Sequence, residues 1–157
     1  MEAQPQQADP RTLIGWREWI HLPELLAGGW IKAKVDTGAR TSALHAWDVE
    51  RFDRDGTVWV HFSLHPRQHD DELVVHAEAP LIEEREVRSS NGEVELRPVV
   101  ETTLALGGQR YDIELTLTKR DQMGFRMLLG RTGMARHLLV DPGSSYLLGG
   151  GRHRPPG

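Results

Sequence analysis

The chain has 157 residues, 38% of them hydrophobic and 27% charged, the size and composition of one globular domain with its own core. A formal net charge of -4 argues against nucleic acid as the main partner, since phosphate binding wants a basic surface. The absence of cysteine excludes disulfides, thiolate zinc sites and cysteine nucleophiles. No apolar run approaches the roughly 20 residues that span a bilayer. The first residues, Met1-Glu2-Ala3-Gln4-Pro5, lack the basic start and apolar stretch of a signal peptide, so a cytoplasmic protein without a membrane partner is expected.

In chain order, residues 1–10 are polar and read as a disordered tail, followed by one domain over 11–148. Leu13 to Leu22 reads as a strand, and Pro23-Glu24-Leu25-Leu26 as a turn or short helical piece closed by Gly28-Gly29. From Trp30, the apolar Ile31, Ala33 and Val35 alternate with Lys32 and Lys34, the period of a half-buried strand. The strand runs into Asp36-Thr37-Gly38-Ala39, and a partly apolar stretch, Thr41 to Leu44, follows. Val49 to Asp53 leads through the turn signal Arg54-Asp55-Gly56 into Val58, Val60, Phe62 and Leu64, a strongly alternating strand.

Pro66 to Glu72 is a polar loop, and Leu73 to Ala77 resumes as strand. Pro80 precedes a charged segment that ends in Ser89-Ser90-Asn91-Gly92, and Asn-Gly between extended segments predicts a long, mobile hairpin across about residues 81–101. Val99 to Leu106 and Arg110 to Leu117 flank Gly107-Gly108, a second tight hairpin. Phe125 to Gly130 is an apolar strand stopped by glycine, Arg131 to His137 is long enough for one short helix, and Leu138–Val140 with Tyr146–Leu148 are expected to close the sheet. Residues 149–157 read as a disordered tail. Many short strands joined by Gly, Asn and Asp turns predict an all-β fold, a closed barrel or folded sheet with at most one short helix.

Asp-Thr-Gly alone is more often a turn than a catalyst. Here it follows an alternating strand, extends to alanine, and is matched near the C-terminus by Leu128-Leu129-Gly130 followed by Arg131. On these words the chain resembles retropepsin-like aspartic peptidases, in which an Asp-Thr-Gly-Ala loop supplies one catalytic aspartate per subunit and an apolar-apolar-Gly strand crosses behind it. It is similar more closely to a bacterial family labelled both "ATP-dependent zinc protease" and "retropepsin-like". The words that carry this are Ile14-Gly15-Trp16-Arg17-Glu18, Lys34 to Leu44, Val87 to Gly92, Arg97-Pro98-Val99-Val100 and Met127 to Arg131.

The resemblance implies a retropepsin-like closed barrel, with the 81–101 hairpin enlarged as a flap, and a hydrolase that acts on a protein or peptide substrate. Asp36 would be the catalytic residue and Thr37, Gly38 and Ala39 its supporting loop. One chain offers one such aspartate, so a dyad requires a homodimer with Asp36 at the two-fold axis. The ionised member would take a proton from water while the protonated one donates to the carbonyl oxygen. Ser89, Ser90 and Asn91, at the flap tip, become substrate-contact candidates.

The chain departs from many retroviral-type enzymes four residues after the aspartate. A carboxylate there commonly pairs with the arginine that follows the second glycine, whereas this chain has Arg40, and Arg131 is the other partner. Two cations cannot pair with each other. Either an internal acid compensates, or Arg40 and Arg131 recognise a carboxylate-rich substrate such as a glutamate-extended tail. Relatives of this family are sometimes associated with ATP-grasp ligases that add amino acids to protein tails, which implies such a ligase as a functional partner.

The zinc label has little behind it in the residues. His61, His65 and His69 are spaced as on a helix, but Pro66 and the strand pattern before it argue against one, and no His-Glu-x-x-His occurs. No phosphate-binding glycine loop occurs either, so no cofactor and no metal ligands are expected. The tryptophans read as core or rim packing, with Trp30 close enough to Asp36 to line a pocket. The alternatives to an aspartic peptidase are a non-catalytic peptide-binding or regulatory module on the same barrel, and a zinc-dependent protease.

Overall fold

A computed structural model describes residues 9–27, 29–67, 70, 72–88, 91–119 and 124–149. The tails expected at 1–10 and 149–157 fall almost wholly outside these residues, as do Ser89, Ser90 and His69. The strands are β1 (Thr12–Ile14), β2 (Arg17–His21), β3 (Trp30–Val35), β4 (Ser42–Arg54), β5 (Thr57–Leu64), β6 (Val75–Arg88), β7 (Val94–Leu106), β8 (Gln109–Thr118), β9 (Met127–Leu129) and β10 (Leu138–Val140). The short helix expected over 131–137 is a single 3-10 turn, Arg131–Gly133, with plain turns after it.

β4 to β8 follow one another as antiparallel neighbours. β8 then returns alongside β4 in parallel, from Ser42↔Leu115 to His45↔Thr118, and the ring closes. The all-β closed barrel expected from the turn spacing is therefore the observed architecture. β2 and β3 form a second ribbon that joins the ring at two places, His21↔Ala105 on β7 and β9 on the other side. Alternation decides what is inside: Ile20, Ile31, Ala33, Leu44, Phe62, Leu64, Leu104, Leu115 and Leu129 are all buried in one continuous core. Full burial of each large aliphatic side chain contributes about 1.5–3 kcal/mol.

β9 carries the topology that matters for the site. β3 and β4 are consecutive in sequence yet do not pair with each other. β9 lies between them, parallel to β3 (Ala33↔Met127, Val35↔Leu129) and antiparallel to β4 (Ala43↔Leu128, Leu44↔Met127). The loop from Asp36 to Thr41 must therefore bridge over the end of β9.

Several expected elements differ in extent. The strand expected over 13–22 is broken at Gly15-Trp16, where the chain passes so close to Ser144 that a β-carbon on Gly15 would lie 2.1 Å from the Ser144 carbonyl oxygen. The hairpin arm expected at 49–53 is the outer half of the longer β4, whose register shifts between Trp47 and Glu50 where Asp48 takes a φ of 53°. β6 runs through Pro80 without a break. Proline, with no N–H to give a ladder, stands where β6 leaves β5 and takes up β7. The 81–101 hairpin is present, paired from Leu81↔Val100 to Arg88↔Val94.

The last two segments do not close the main sheet. Leu138–Val140 forms a separate parallel ribbon with β1. Tyr146–Leu148 is not a strand, because a side chain takes its donors. Glu18, fully buried on β2, accepts the N–H groups of Gly15 at 2.7 Å, Leu147 at 2.8 Å and Leu148 at 3.2 Å. Backbone bonds from Trp16 to Ser144 and from Tyr146 to Arg17 flank it, so one carboxylate fastens the C-terminal segment to the β1–β2 junction. Among the described residues no helix is long and apolar enough to cross a membrane.

Candidate active site

β3 delivers Asp36. Its inward residues Ile31, Ala33 and Val35 are buried, and the strand's ladder to β9 continues one step further, where the Asp36 N–H donates to the Leu129 carbonyl at 2.9 Å. The chain then turns: the Ala39 N–H donates to the Asp36 carbonyl at 3.2 Å, and the Gly38 N–H donates to Asp36 Oδ1 at 2.9 Å. This second bond is an Asx turn, which fixes the carboxylate relative to its own loop. Asp36 is half-buried, and Thr37, Gly38 and Arg40 are exposed.

The segment after β9 holds the loop from beneath. The Arg131 N–H donates to the Ala39 carbonyl at 2.8 Å and the Thr132 N–H to the Arg40 carbonyl at 2.9 Å. The Arg131 guanidinium reaches across, its Nη1 donating to the carbonyls of Thr37 and Gly38, both at 3.0 Å. Gly130 has to be glycine, because a β-carbon there would lie 2.4 Å from the Thr41 carbonyl oxygen. Its N–H donates to Ser42 Oγ at 3.0 Å in a buried position. Tyr111 adds a brace from β8. Its hydroxyl donates to the Gly133 carbonyl at 2.6 Å, its ring stacks on His137 with centroids 3.6 Å apart, and burial holds its pKa well above the usual range.

Of the residues singled out in the sequence, Asp36, Thr37, Gly38, Ala39, Arg40 and Arg131 come together in this loop. Arg131 meets loop carbonyls, and among the described residues no acid is paired with it. Arg40 lines a groove of about 520 Å³ with Thr41, Thr132, Glu83, Arg85 and Glu114. Arg85 is tied to Glu83 through Nε at 3.0 Å and Nη2 at 2.8 Å. Asn91 sits at the hairpin tip, where its Oδ1 accepts the Glu93 N–H at 3.2 Å. Trp30 does not line a pocket with Asp36. It stands at the opposite end of β3, tilted against His21 with ring centroids 5.7 Å apart.

His61 and His65 also part company: His61 Nε2 lies 3.2 Å from Glu50, while His65 packs on Trp47 at 4.3 Å. Among the described residues no group of three or more His, Asp or Glu could hold a metal ion.

Sequence reasoning missed Ser42, Tyr111 and Glu18 as supports. Ser42 left one signal, a hydroxyl at an inward position of an apolar strand. It is a testable brace. Ser42→Ala leaves the buried Gly130 N–H without an acceptor, and a loss of about 1–3 kcal/mol of unfolding free energy is expected in urea denaturation.

A family profile described as "RimB-like: Retropepsin-like aspartic endopeptidase RimB" matches residues 13–149, nearly the whole described chain. The chain belongs to the RimB-like family. The match spans the Asp-Thr-Gly-Ala loop, β9 and the Glu18 anchor alike, and of the two labels expected for the family it carries the retropepsin-like one. Among curated proteins, this RimB-like chain is 46% identical over 142 residues to a probable alpha-L-glutamate ligase of Shewanella halifaxensis, covering 90% of this chain and 31% of that protein. It is 47% identical over 139 residues to a protein of the same name from Parasynechococcus marenigrum, covering 88% and 30%. The chain thus spans about a third of the length of these relatives. Among solved structures, a Legionella pneumophila protein of unknown function superposes with a TM-score of 0.72 at 24% identity, covering 87% of this chain and 98% of that one, a likeness of fold.

Proposed function

We propose that this chain is one half of an aspartic peptidase, and that two copies bring Asp36 and its symmetry mate together as the acid–base pair. One observation carries the reading: a half-buried aspartate on a loop braced from beneath by β9 and Arg131, with its Oδ1 already oriented by the Gly38 N–H. Two carboxylates about 3 Å apart hold one proton between them, so one activates water while the other polarises the substrate carbonyl. The exposed face of the loop at Thr37 and Gly38 suits contact with a second copy, and the β6–β7 hairpin suits a flap over an extended peptide. The test is dilution. Hydrolysis of a peptide library per unit of protein should fall as the chain is diluted through its dimerisation range. Constant specific activity in a chain that sediments as a monomer would refute the shared dyad.

The names of the curated relatives support a narrower reading of the substrate, a protein tail extended by glutamate, with the ligase that adds it as functional partner. Arg40, exposed beside the Asp36 loop and lining the groove next to it, is the residue suited to a substrate carboxylate. Arg40→Ala is expected to lower kcat/KM for acidic peptides about 10-fold, the scale of one charge-assisted hydrogen bond, and to spare neutral ones. Equal losses on both peptide sets would remove Arg40 from substrate recognition. A second reading is favoured by the same names, which describe ligation: a barrel that binds an acidic tail without cleaving it. It predicts saturable binding of acidic peptides and no hydrolysis by the native chain.

A further inference from the structure

The β6–β7 hairpin is paired only in its outer half. From Leu81↔Val100 to Arg88↔Val94 the two strands are in register. Nearer the barrel, residues 75–80 of β6 pair with β5, and residues 101–106 of β7 pair with β8. Those neighbours lie on the far sides, so the two strands part and each presents an edge to the gap. Among the described residues, β7 gains another strand partner only at Ala105, opposite His21. The gap is a groove of about 740 Å³ lined by Glu24, Arg54, Trp59, His76, Glu78 and Thr102 among others. That is within the ~300–1,000 Å³ usual for binding clefts.

An open strand edge is a template for another strand, and proteins commonly blunt such edges. Here one edge is blunted by a single side chain. Glu24 Oε1 accepts the Thr103 N–H at 2.8 Å and the Thr102 hydroxyl at 3.3 Å, and these bonds hold its pKa below the usual range, with the Arg110 charge adding to them. The β6 edge has no such plug among the described residues. The charge of the groove is lopsided. Glu78 is paired to Arg54 at 2.7 Å, and the Arg54 guanidinium lies over Trp59 at 4.2 Å. Glu24 makes no ion pair among the described residues.

We propose that this groove is a strand-addition site for an extended segment of another polypeptide that carries lysine or arginine. The main chain of the segment pairs with the free edge of β6 at residues 75–80. Its cationic side chains meet Glu24 and Glu78, and Trp59 flanks its aliphatic parts. The site is separate from the Asp36 loop. The groove meets β2 at its His21 end, whereas Asp36 leaves β3 beside Trp16 and Arg17 at the other end of the same ribbon. Four strand steps of about 3.3 Å lie between those ends. The proposal is independent of whether Asp36 is catalytic.

The test uses the full chain as Asp36→Asn, so that no probe is hydrolysed, and follows backbone amides by NMR and hydrogen exchange. The probes are acetyl-(Lys-Val)3-amide, its (Glu-Val)3 counterpart, and a (Lys-Val)3 peptide N-methylated at alternate residues. The lysine peptide should slow exchange and shift resonances at residues 75–80. The glutamate and N-methylated peptides should bind at least about 10-fold more weakly, since one lacks the charge and the other the ladder donors. Glu24→Gln and, separately, Glu78→Gln should each weaken the lysine peptide about 2- to 5-fold, the range of an exposed ion pair. Three results would overturn the proposal: equal affinity for all three peptides; perturbations confined to the Asp36 loop or the hairpin tip; or protection of residues 75–80 by self-association without any peptide.

Discussion

Asp36→Asn is expected to lower kcat for peptide hydrolysis about 10³-fold or more and to leave the fold as it is. General acid–base catalysis contributes typically ~10²–10⁴-fold, and in a shared dyad the same residue is acid in one copy and base in the other. The asparagine keeps an Oδ1 that accepts the Gly38 N–H, so the loop geometry survives and the change isolates the chemistry. The free energy of unfolding should therefore change by less than about 1 kcal/mol, the scale of a surface substitution. A mixed preparation gives a sharper readout. Adding inactive Asp36→Asn chain to native chain should depress activity more than dilution alone, because heterodimers carry a broken pair. Native-level hydrolysis by pure Asp36→Asn would end the aspartic reading. Hydrolysis that survives Asp36→Asn but is lost to a chelator would assign the chemistry to a metal.

Glu18→Ala should be the most destabilising single change in the chain outside the apolar core. Its carboxylate is fully buried and accepts three backbone N–H groups, from Gly15, Leu147 and Leu148. Alanine removes all three acceptors at once. A donor left without its partner costs about 1–3 kcal/mol when buried, as at Gly15, and less where it is partly exposed, as at Leu147 and Leu148, so a loss of about 3–5 kcal/mol is expected against a total stability of ~5–15 kcal/mol. The melting temperature should fall by about 10 °C or more for a domain of this size. Glu18→Gln keeps one carbonyl oxygen but turns an amide donor toward the remaining N–H groups, and should lose roughly half as much. Hydrogen exchange adds a positional check, with the amides of residues 147–148 expected to lose protection first. An unchanged midpoint in Glu18→Ala would mean that the C-terminal segment is held by its flanking backbone bonds alone.

The two residues differ in how much of their role was legible in the sequence. Asp36 stood out because its surroundings are local: an alternating strand before it, a glycine two residues after it, a turn that four consecutive residues can make. Glu18 gave no such sign. It occupies the inward position of β2 where Ile14 and Ile20 suggest another apolar residue, and its three donors come from both ends of the chain. Arg40 and Arg131 fall between. Their departure from the usual acid–arginine pairing was visible, but Arg131's two bonds to the Thr37 and Gly38 carbonyls were not, because a backbone acceptor has no sequence signature.

The strand class of nearly every segment, and the places where the chain reverses, are written in local residue patterns. Alternation at Ile31-Ala33-Val35, Val58 to Leu64 and Tyr111 to Leu117 reflects a pleat that exists within each strand, whatever its neighbour. Asp55-Gly56 and Gly107-Gly108 turn because those residues tolerate positive φ, and all four have it, at 51°, 82°, 54° and 80°. Folding in three dimensions settled which strands pair. It inserted β9 between β3 and β4, sent Leu138–Val140 to β1, withheld a strand from Tyr146–Leu148, and let β6 change partner at Pro80. A strand's side-chain period records which face is buried and nothing about its edges. Edge pairing is settled by which backbone donors and acceptors meet in space, and at Glu18 and Glu24 a single carboxylate takes the place a strand would otherwise fill.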